Sequence, residues 1–247
     1  NPLYGKCRPE IDFPKLVDLY DKGDLLLDEM ITLNVDRKET SYIITDVPAR
    51  LAPNATSINA WAKNTNNAPS NGSYGRTSRY DYAAQYMGWC LGTNVDGKEI
   101  AIPGSTVALR TYLYSDSVSY VWFPPAGTER GVVTNAASVG YINQEGEYAP
   151  IIYNQGQRDT MYLNNINPIA MRPTRGLLVY GDKSLAPEAT ALDRVNVGRL
   201  VVYLRTEIDK LAERFLFKLN TPRVREEFAG ALTSFLANIV LLEGLED

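Results

Sequence analysis

The chain has 247 residues, 45% of them hydrophobic and 22% charged, with a formal net charge of −4 and no histidine. These proportions belong to a packed fold of one large or two small domains and exclude a disordered or fibrous chain. The acidic balance argues against a general nucleic-acid coat, which needs a surplus of Lys and Arg, and the lack of histidine removes the commonest general base and metal ligand.

No apolar run approaches the ~18 residues of a membrane helix, so no membrane insertion is expected. The start, Asn1-Pro2-Leu3-Tyr4, carries neither a basic leader nor an apolar signal core. The expectation from the ends, a start without Met and a stop at Gly244-Leu245-Glu246-Asp247 right after a helical pattern, is a piece of a longer protein. Cys7 and Cys90 are the only cysteines. They sit far apart without a Cys-x-x-Cys frame, so both are expected to be reduced, with no zinc site and no disulfide framework.

In chain order, Leu16 to Ile31 mixes apolar and acidic residues, and Ser41-Tyr42-Ile43-Ile44-Thr45-Asp46-Val47-Pro48 follows as a buried strand whose tip, at Asp46 and Pro48, enters a loop. Residues 49–79 are rich in Asn, Pro and Gly and read as a long exposed excursion with one helical candidate around Ser57–Lys63. Asn54-Ala55-Thr56 and Asn71-Gly72-Ser73 match the short glycosylation pattern and are read as plain loop asparagines. Tyr80 to Leu91, with Tyr80, Tyr82, Tyr86 and Trp89, reads as one strand leading to a turn at Val95-Asp96-Gly97-Lys98.

Pro103 to Tyr112 predicts a short helix capped by Ser105. That serine lacks a nucleophile frame and any histidine to activate it. Tyr120 to Gly127 is broken by Pro124 and Pro125 and reads as a surface strand or turn. Gly131 to Arg158 suits short strands or an extended connector. Ile169–Pro173 and Gly176–Asp182 give two further strands, the second apolar enough to be covered on both faces.

The clearest periodicity spans Asp193 to Leu219, where Val197, Leu200, Val201, Leu204, Ile208, Leu211 and Phe215 recur at three- and four-residue steps. Asn220-Thr221-Pro222 breaks this helix and starts a second, with Thr221 as cap and Pro222 at its first position. There Val224, Phe228, Leu232, Phe235, Ile239 and Leu242 repeat the stripe. The two helices are expected to form an antiparallel hairpin or to pack together on the sheet, each stripe serving as core.

The acidic groups Asp18, Asp21 and Asp24, and Glu145 and Glu147, match no calcium loop and frame no base, and read as solvated carboxylates. No glycine pattern for nucleotide binding is present, so no catalytic residue, cofactor or metal site is expected. Arg194 to Lys218 holds six basic residues against three acidic ones, a local excess of positive charge suited to docking an acidic partner. The plainer reading is a solvated helix face with i,i+4 pairs.

Seven segments stand out in order: Tyr42–Pro48 (YIITDVP), Tyr86–Trp89 (YMGW), Pro103 to Ala108 (PGSTVA), Val121 to Ala126 (VWFPPA), Leu163 to Ile169 (LNNINPI), Gly176–Leu185 (GLLVYGDKSL) and Arg194 to Leu200 (RVNVGRL). In this order they resemble the sheath proteins of contractile phage tails. The family also includes the sheaths of R-type pyocins and type VI secretion systems. Tyr180 stands where relatives usually carry Trp, and the divergence looks like that of a giant phage of the phiKZ kind.

The resemblance implies an α/β fold with a mixed central sheet flanked by helices, a conserved domain at about residues 24–243, long C-terminal helices and the loop-rich excursion on the outside. It implies a structural subunit of the virion tail, assembled in the host bacterial cytoplasm from copies in six-membered rings stacked helically on an inner tail tube above a baseplate. Contraction would drive that tube through the host envelope without nucleotide. Relatives join neighbours by terminal arms that add strands to an adjacent sheet. This chain stops before the C-terminal arm, so a monomer is expected. By position, the resemblance points to Arg205, Lys210 and Arg214 as tube-facing residues. Two rival readings are a carboxylate-based hydrolase, which needs paired acids ~5–9 Å apart in a cleft, and a tail-associated adhesin using the Asn- and Gly-rich loop.

Overall fold

The computed structural model describes residues 23–64, 75–76 and 78–246. Cys7, Asp18, Asp21 and the Asn71-Gly72-Ser73 pattern lie outside the described residues, as does the Asp24 side chain. Strands β1 (Ile43–Asp46), β2 (Ala83–Met87), β7 (Ile166–Arg172) and β8 (Gly176–Val179) form a mixed sheet in the order β1-β2-β7-β8. The first three run parallel and β8 returns antiparallel beside β7. A second, wholly antiparallel sheet has the order β4-β3-β5-β6, from β3 (Trp89–Thr93), β4 (Glu99–Ile102), β5 (Ser138–Ile142) and β6 (Tyr148–Pro150).

Parallel strands need crossovers, and crossovers put helices on sheet faces. Helix α1 (Gly23–Asp36) sets Leu27 against Ile43 and Ala83 on one face of β1 and β2. On the other face, α2 (Ala55–Ala62), α3 (Gly104–Val118) and α5 (Gln155–Leu163) enclose the main core, with Ile58, Trp61, Val107, Tyr112 and Met161 around Ala84, Tyr86 and Ile169. This is the expected mixed sheet flanked by helices. Every residue of β2 is buried, which explains small Ala83 and Ala84 beside large Tyr86 and Met87.

The stretch read as one strand, Tyr80 to Leu91, is two strands in two sheets. The chain changes sheet at Gly88, whose φ of +125° L side chains rarely adopt and whose Cβ would lie 2.7 Å from Val139 Cγ2. A further departure is the excursion at 49–79. Asn54 is a helix cap, its side chain accepting from the Ser57 N–H at 2.8 Å, and Leu51, Ile58 and Trp61 of its first half are core. Polar composition suggested exposure, but the three apolar residues sit on the inward face. Residues 131–158 hold the expected short strands β5 and β6 and also the start of α5, opened by an Asn154–Gln157 capping box. A single turn, α4 (Gly127–Arg130), follows the two prolines.

The C-terminal helices are α6 (Val195–Glu213) and α7 (Pro222–Leu241), with Thr221 capping α7 and Pro222 in its first turn as expected. They form an antiparallel hairpin. Tyr203 meets Phe235 near the root and Phe215 meets Phe228 edge-on at 5.2 Å near the tip. The stripes are not full core, which corrects the expectation. Only Val195, Gly198, Arg199 and Leu200 of α6 and Ile239 of α7 are buried. Among the described residues no third layer covers the pair, so the flanks of a wide apolar stripe stay open.

Replacing Gly88 by alanine should destabilise the chain by about 2 kcal/mol or more, from left-handed strain and the Val139 clash together. Urea denaturation followed by circular dichroism measures it, with Gly97→Ala, at an open turn with φ of +78°, reporting strain without a clash.

Candidate functional site

Helices α3 and α6 both begin on residues with no side-chain acceptor. Pro103 precedes α3 and Arg194 precedes α6, and neither makes a capping side-chain hydrogen bond. The first amides of a helix have no partner inside it. For α3 the acceptor is Asp46 at the tip of β1: the Ser105 N–H donates to Asp46 Oδ1 at 2.6 Å and the Ser105 hydroxyl to Oδ2 at 2.5 Å. Ser105, expected to cap the helix, lies inside its first turn and donates. Gly104 allows the approach, since a Cβ there would stand 2.9 Å from the Gly88 carbonyl and 3.3 Å from Asp46 Oδ1.

For α6 the acceptor is Asp182, after β8. The Val195 N–H donates to the Asp182 carbonyl at 3.2 Å, and the Asn196 N–H faces the carboxylate. Burial pushes the Asp46 carboxyl up to about 6, against the lowering effect of the Ser105 hydrogen bonds. Burial likewise raises Asp182 to about 7, against Arg194, the Asn196 amide and Arg199. The Asp46 carboxylate accepts the Ser105 amide, whereas Asp182 accepts the Val195 amide through its carbonyl and its Oδ1 is buried without a hydrogen-bond partner among the described residues. At both, the loss of water outweighs the compensating contacts.

Below its root, α6 is locked by Arg199. The guanidinium Nη2 donates to both oxygens of Asp116 on α3, at 2.7 and 2.6 Å, and Cζ lies 4.7 Å from the Tyr112 ring centroid. Gly198 permits close packing, as a Cβ would meet Tyr42 Cε2 at 2.9 Å. Trp122 then wedges between the helices in a cluster with Leu200 and Ile239, its indole N–H donating to the Leu242 carbonyl at 3.1 Å. Beyond this point the hairpin is held by its own seam and by Lys218 Nζ with Glu227 at 3.0 Å. Leu216, Phe217 and Leu219 at its tip are exposed.

The three cations expected to act together do not share a face. At about 100° per residue, Lys210 and Arg214 lie about 40° apart around the axis, whereas Arg205 lies about 140° from Lys210. Arg205 is half-buried, pairs with Glu39 Oε2 at 2.5 Å and stacks 4.8 Å from the Tyr82 ring, joining α6 to the α1–β1 loop. Lys210 is exposed and touches Glu207 at 2.7 Å, while Arg214 is exposed at the helix end.

Glu145 and Glu147 sit exposed on the β5–β6 turn. Cys90 is buried, and burial pushes its thiol up to about 12. Among the described residues no three His, Cys, Asp or Glu side chains gather to hold a metal, and no helix is long and apolar enough to cross a membrane. Sequence reasoning missed Asp46, Asp116 and Asp182. The legible signal was negative: helices starting after Pro103 and Arg194 without a capping side chain of their own require acceptors from elsewhere.

No family model matches the chain. Sequence relatives exist: the tail sheath protein of Vibrio phage KVP40 is 33% identical over 134 residues, 54% of this chain and 18% of that protein. The tail sheath protein of Enterobacteria phage T4 is 32% identical over 131 residues, 53% of this chain and 18% of that protein. The matched stretch is thus under a fifth of these relatives' length. The fold is shared with the PVC sheath complex of an extracellular contractile injection system in its contracted state, with a TM-score of 0.60 at 21% identity, covering 83% of this chain and 49% of that one. Curated homologues and fold together relate the chain to the contractile tail sheath proteins.

Stability should depend on pH through the two buried caps. Each has a folded pKa above its unfolded value, so the stability it contributes is present below about pH 4 and is lost as pH rises through about 6 for Asp46 and about 7 for Asp182. The melting temperature should therefore fall between pH 5 and pH 8, and Asp46→Asn with Asp182→Asn should flatten the profile while keeping an acceptor at each cap. Arg199→Ala should cost about 3 kcal/mol in urea denaturation, the low end for a broken buried pair, because Asp116 keeps 33% of its side chain in water.

Proposed function

We propose that the full-length protein is a structural subunit of a contractile phage tail sheath. It polymerises with its own copies as a helical stack of six-membered rings around the inner tail tube, above a baseplate. Contraction drives the tube through the host envelope, and the work comes from contacts exchanged between copies. The role is mechanical and not enzymatic, and no cofactor enters it. The protein acts in the virion tail, after assembly in the host bacterial cytoplasm. A source in a giant phage of the phiKZ kind is part of this reading and rests on the motifs alone.

The observation that carries the proposal is identity above 30%, over about half of the chain, to two proteins named as tail sheath proteins. The form of the C-terminal hairpin supports it. Its root is locked into the domain by Asp182 and Arg199, while its distal half presents Lys210, Arg214 and exposed apolar residues outward. A basic helix end of this kind suits an acidic protein surface. In this reading Lys210 and Arg214 face the tube, and Arg205 positions their helix through Glu39 and Tyr82.

Electron microscopy of the full-length product, expressed alone and with its tube protein, tests the proposal. Hollow tubes of sheath width are expected, and a protein that never polymerises with its tube present would sink it. Within the assembled system, Lys210→Glu with Arg214→Glu should prevent assembly on the tube and leave the melting of the chain within about 0.5 kcal/mol of the parent. Arg205→Glu should instead lower its stability. Normal sheath on tube from the double variant would reject the tube-facing assignment.

A further inference from the structure

We propose that the concavity between α5 and the β7–β8 hairpin is a socket for Glu145 and Glu147 on the β5–β6 turn of a second copy of this chain. The inference rests on the sheath reading above and adds a specific contact between copies.

The socket has a volume of about 250 Å³ and is lined by Gln155, Arg158, Asp159, Tyr162, Arg172 and Tyr180. Two arginines converge there, each held in place without a carboxylate. The Arg172 guanidinium lies 4.7 Å from the Tyr180 ring centroid, with Nη2 3.4 Å from the Tyr180 hydroxyl. Arg158 Nη1 donates to the Tyr153 carbonyl at 2.6 Å. Among the described residues neither enters an ion pair. Among the described residues Asp159 is the one acid in the lining, against two arginines, a surplus of positive charge.

An arginine fork matches a carboxylate with two parallel hydrogen bonds. Here the aromatic stack and the backbone carbonyl have already ordered the forks, which lowers the entropy cost of capturing one.

The β5–β6 turn has the complementary form. Asn143 Oδ1 accepts from the Glu145 and Glu147 N–H groups at 3.0 and 2.8 Å, and Gly146 at φ +86° closes the turn. Both glutamates are exposed, and residues 143–147 include no Lys or Arg. The β3–β4 turn is built the same way, with Asn94 Oδ1 accepting from Asp96 and Lys98 at 2.7 and 3.2 Å, but Lys98 offsets its acids. The Glu145–Glu147 turn is therefore the better occupant.

Turn and socket belong to different sheets, and among the described residues no hydrogen bond or ion pair joins them within one chain. Two different complementary patches on identical copies make a head-to-tail contact, the kind that propagates into rings or helical filaments.

The test uses the full-length protein and measures the concentration needed for polymerisation, by sedimentation and electron microscopy at about 0.15 M salt. Arg158→Glu with Arg172→Glu, and separately Glu145→Lys with Glu147→Lys, should each raise it about tenfold or more. The variant carrying all four changes should return to within about threefold of the parent, as coupled charges across a contact do. Arg158→Gln with Arg172→Gln, which keeps side-chain length, serves if the reversed socket fails to fold by circular dichroism, and a rise in the required concentration is again expected. Unchanged polymerisation in either pair, or no recovery in the four-residue variant, overturns the proposal. A parent protein that does not polymerise at all overturns the sheath reading instead.

Discussion

Aspartates from strand ends, set against the starts of two helices, hold this architecture together. The first amides of α3 and α6 have no partner inside their helices, and neither helix brings its own side-chain acceptor. Asp46 meets them through its carboxylate at the end of β1, and Asp182 through its carbonyl just after β8, at the two edges of the mixed sheet. Each contact therefore fixes a helix to a strand end, so the direction of α3 and α6 is inherited from the sheet. The cost is a pair of acids raised toward neutrality by burial.

Close backbone approach makes the first contact possible. Gly88 turns the chain from one sheet into the other, and Gly104 sets the start of α3 against the Gly88 carbonyl and Asp46. Three short segments distant in sequence thus meet at one point: the end of β1, the β2–β3 junction and the start of α3. On the far side of α3, Asp116 receives Arg199, so the same helix that is capped by β1 anchors the root of α6. The hairpin of α6 and α7 is anchored at its root and exposed at its tip.

Much of the layout was legible because it follows from local pattern. The Tyr42–Pro48 strand, the paired strands near Ile169 and Gly176, and the two C-terminal helices with their Thr221-Pro222 start all appear where periodicity and turn residues put them. Misreadings share one cause, namely that composition was taken for environment. Asn- and Pro-rich residues 49–64 looked exposed, yet α2 presents Ile58 and Trp61 to the core. Continuous aromatic character across Tyr80–Leu91 concealed a change of sheet that a single glycine conformation produces. The basic excess between Arg194 and Lys218 was real, but a count along the chain does not say which cations share a helix face, and Arg205 turned out to be tied to Glu39 and Tyr82.

The sequence by itself determined the element types, the amphipathic helices and the family resemblance, because each depends on residues within one segment or on the order of short motifs. Tertiary structure alone decided which strands pair, that there are two sheets, and which distant acids meet the helix starts and Arg199. Those outcomes depend on groups up to 83 positions apart, as in Arg199 and Asp116, and no local period encodes a partner at that range. The charge on a side chain is written in the sequence; whether it is spent inside the fold or left for a neighbour is set by packing.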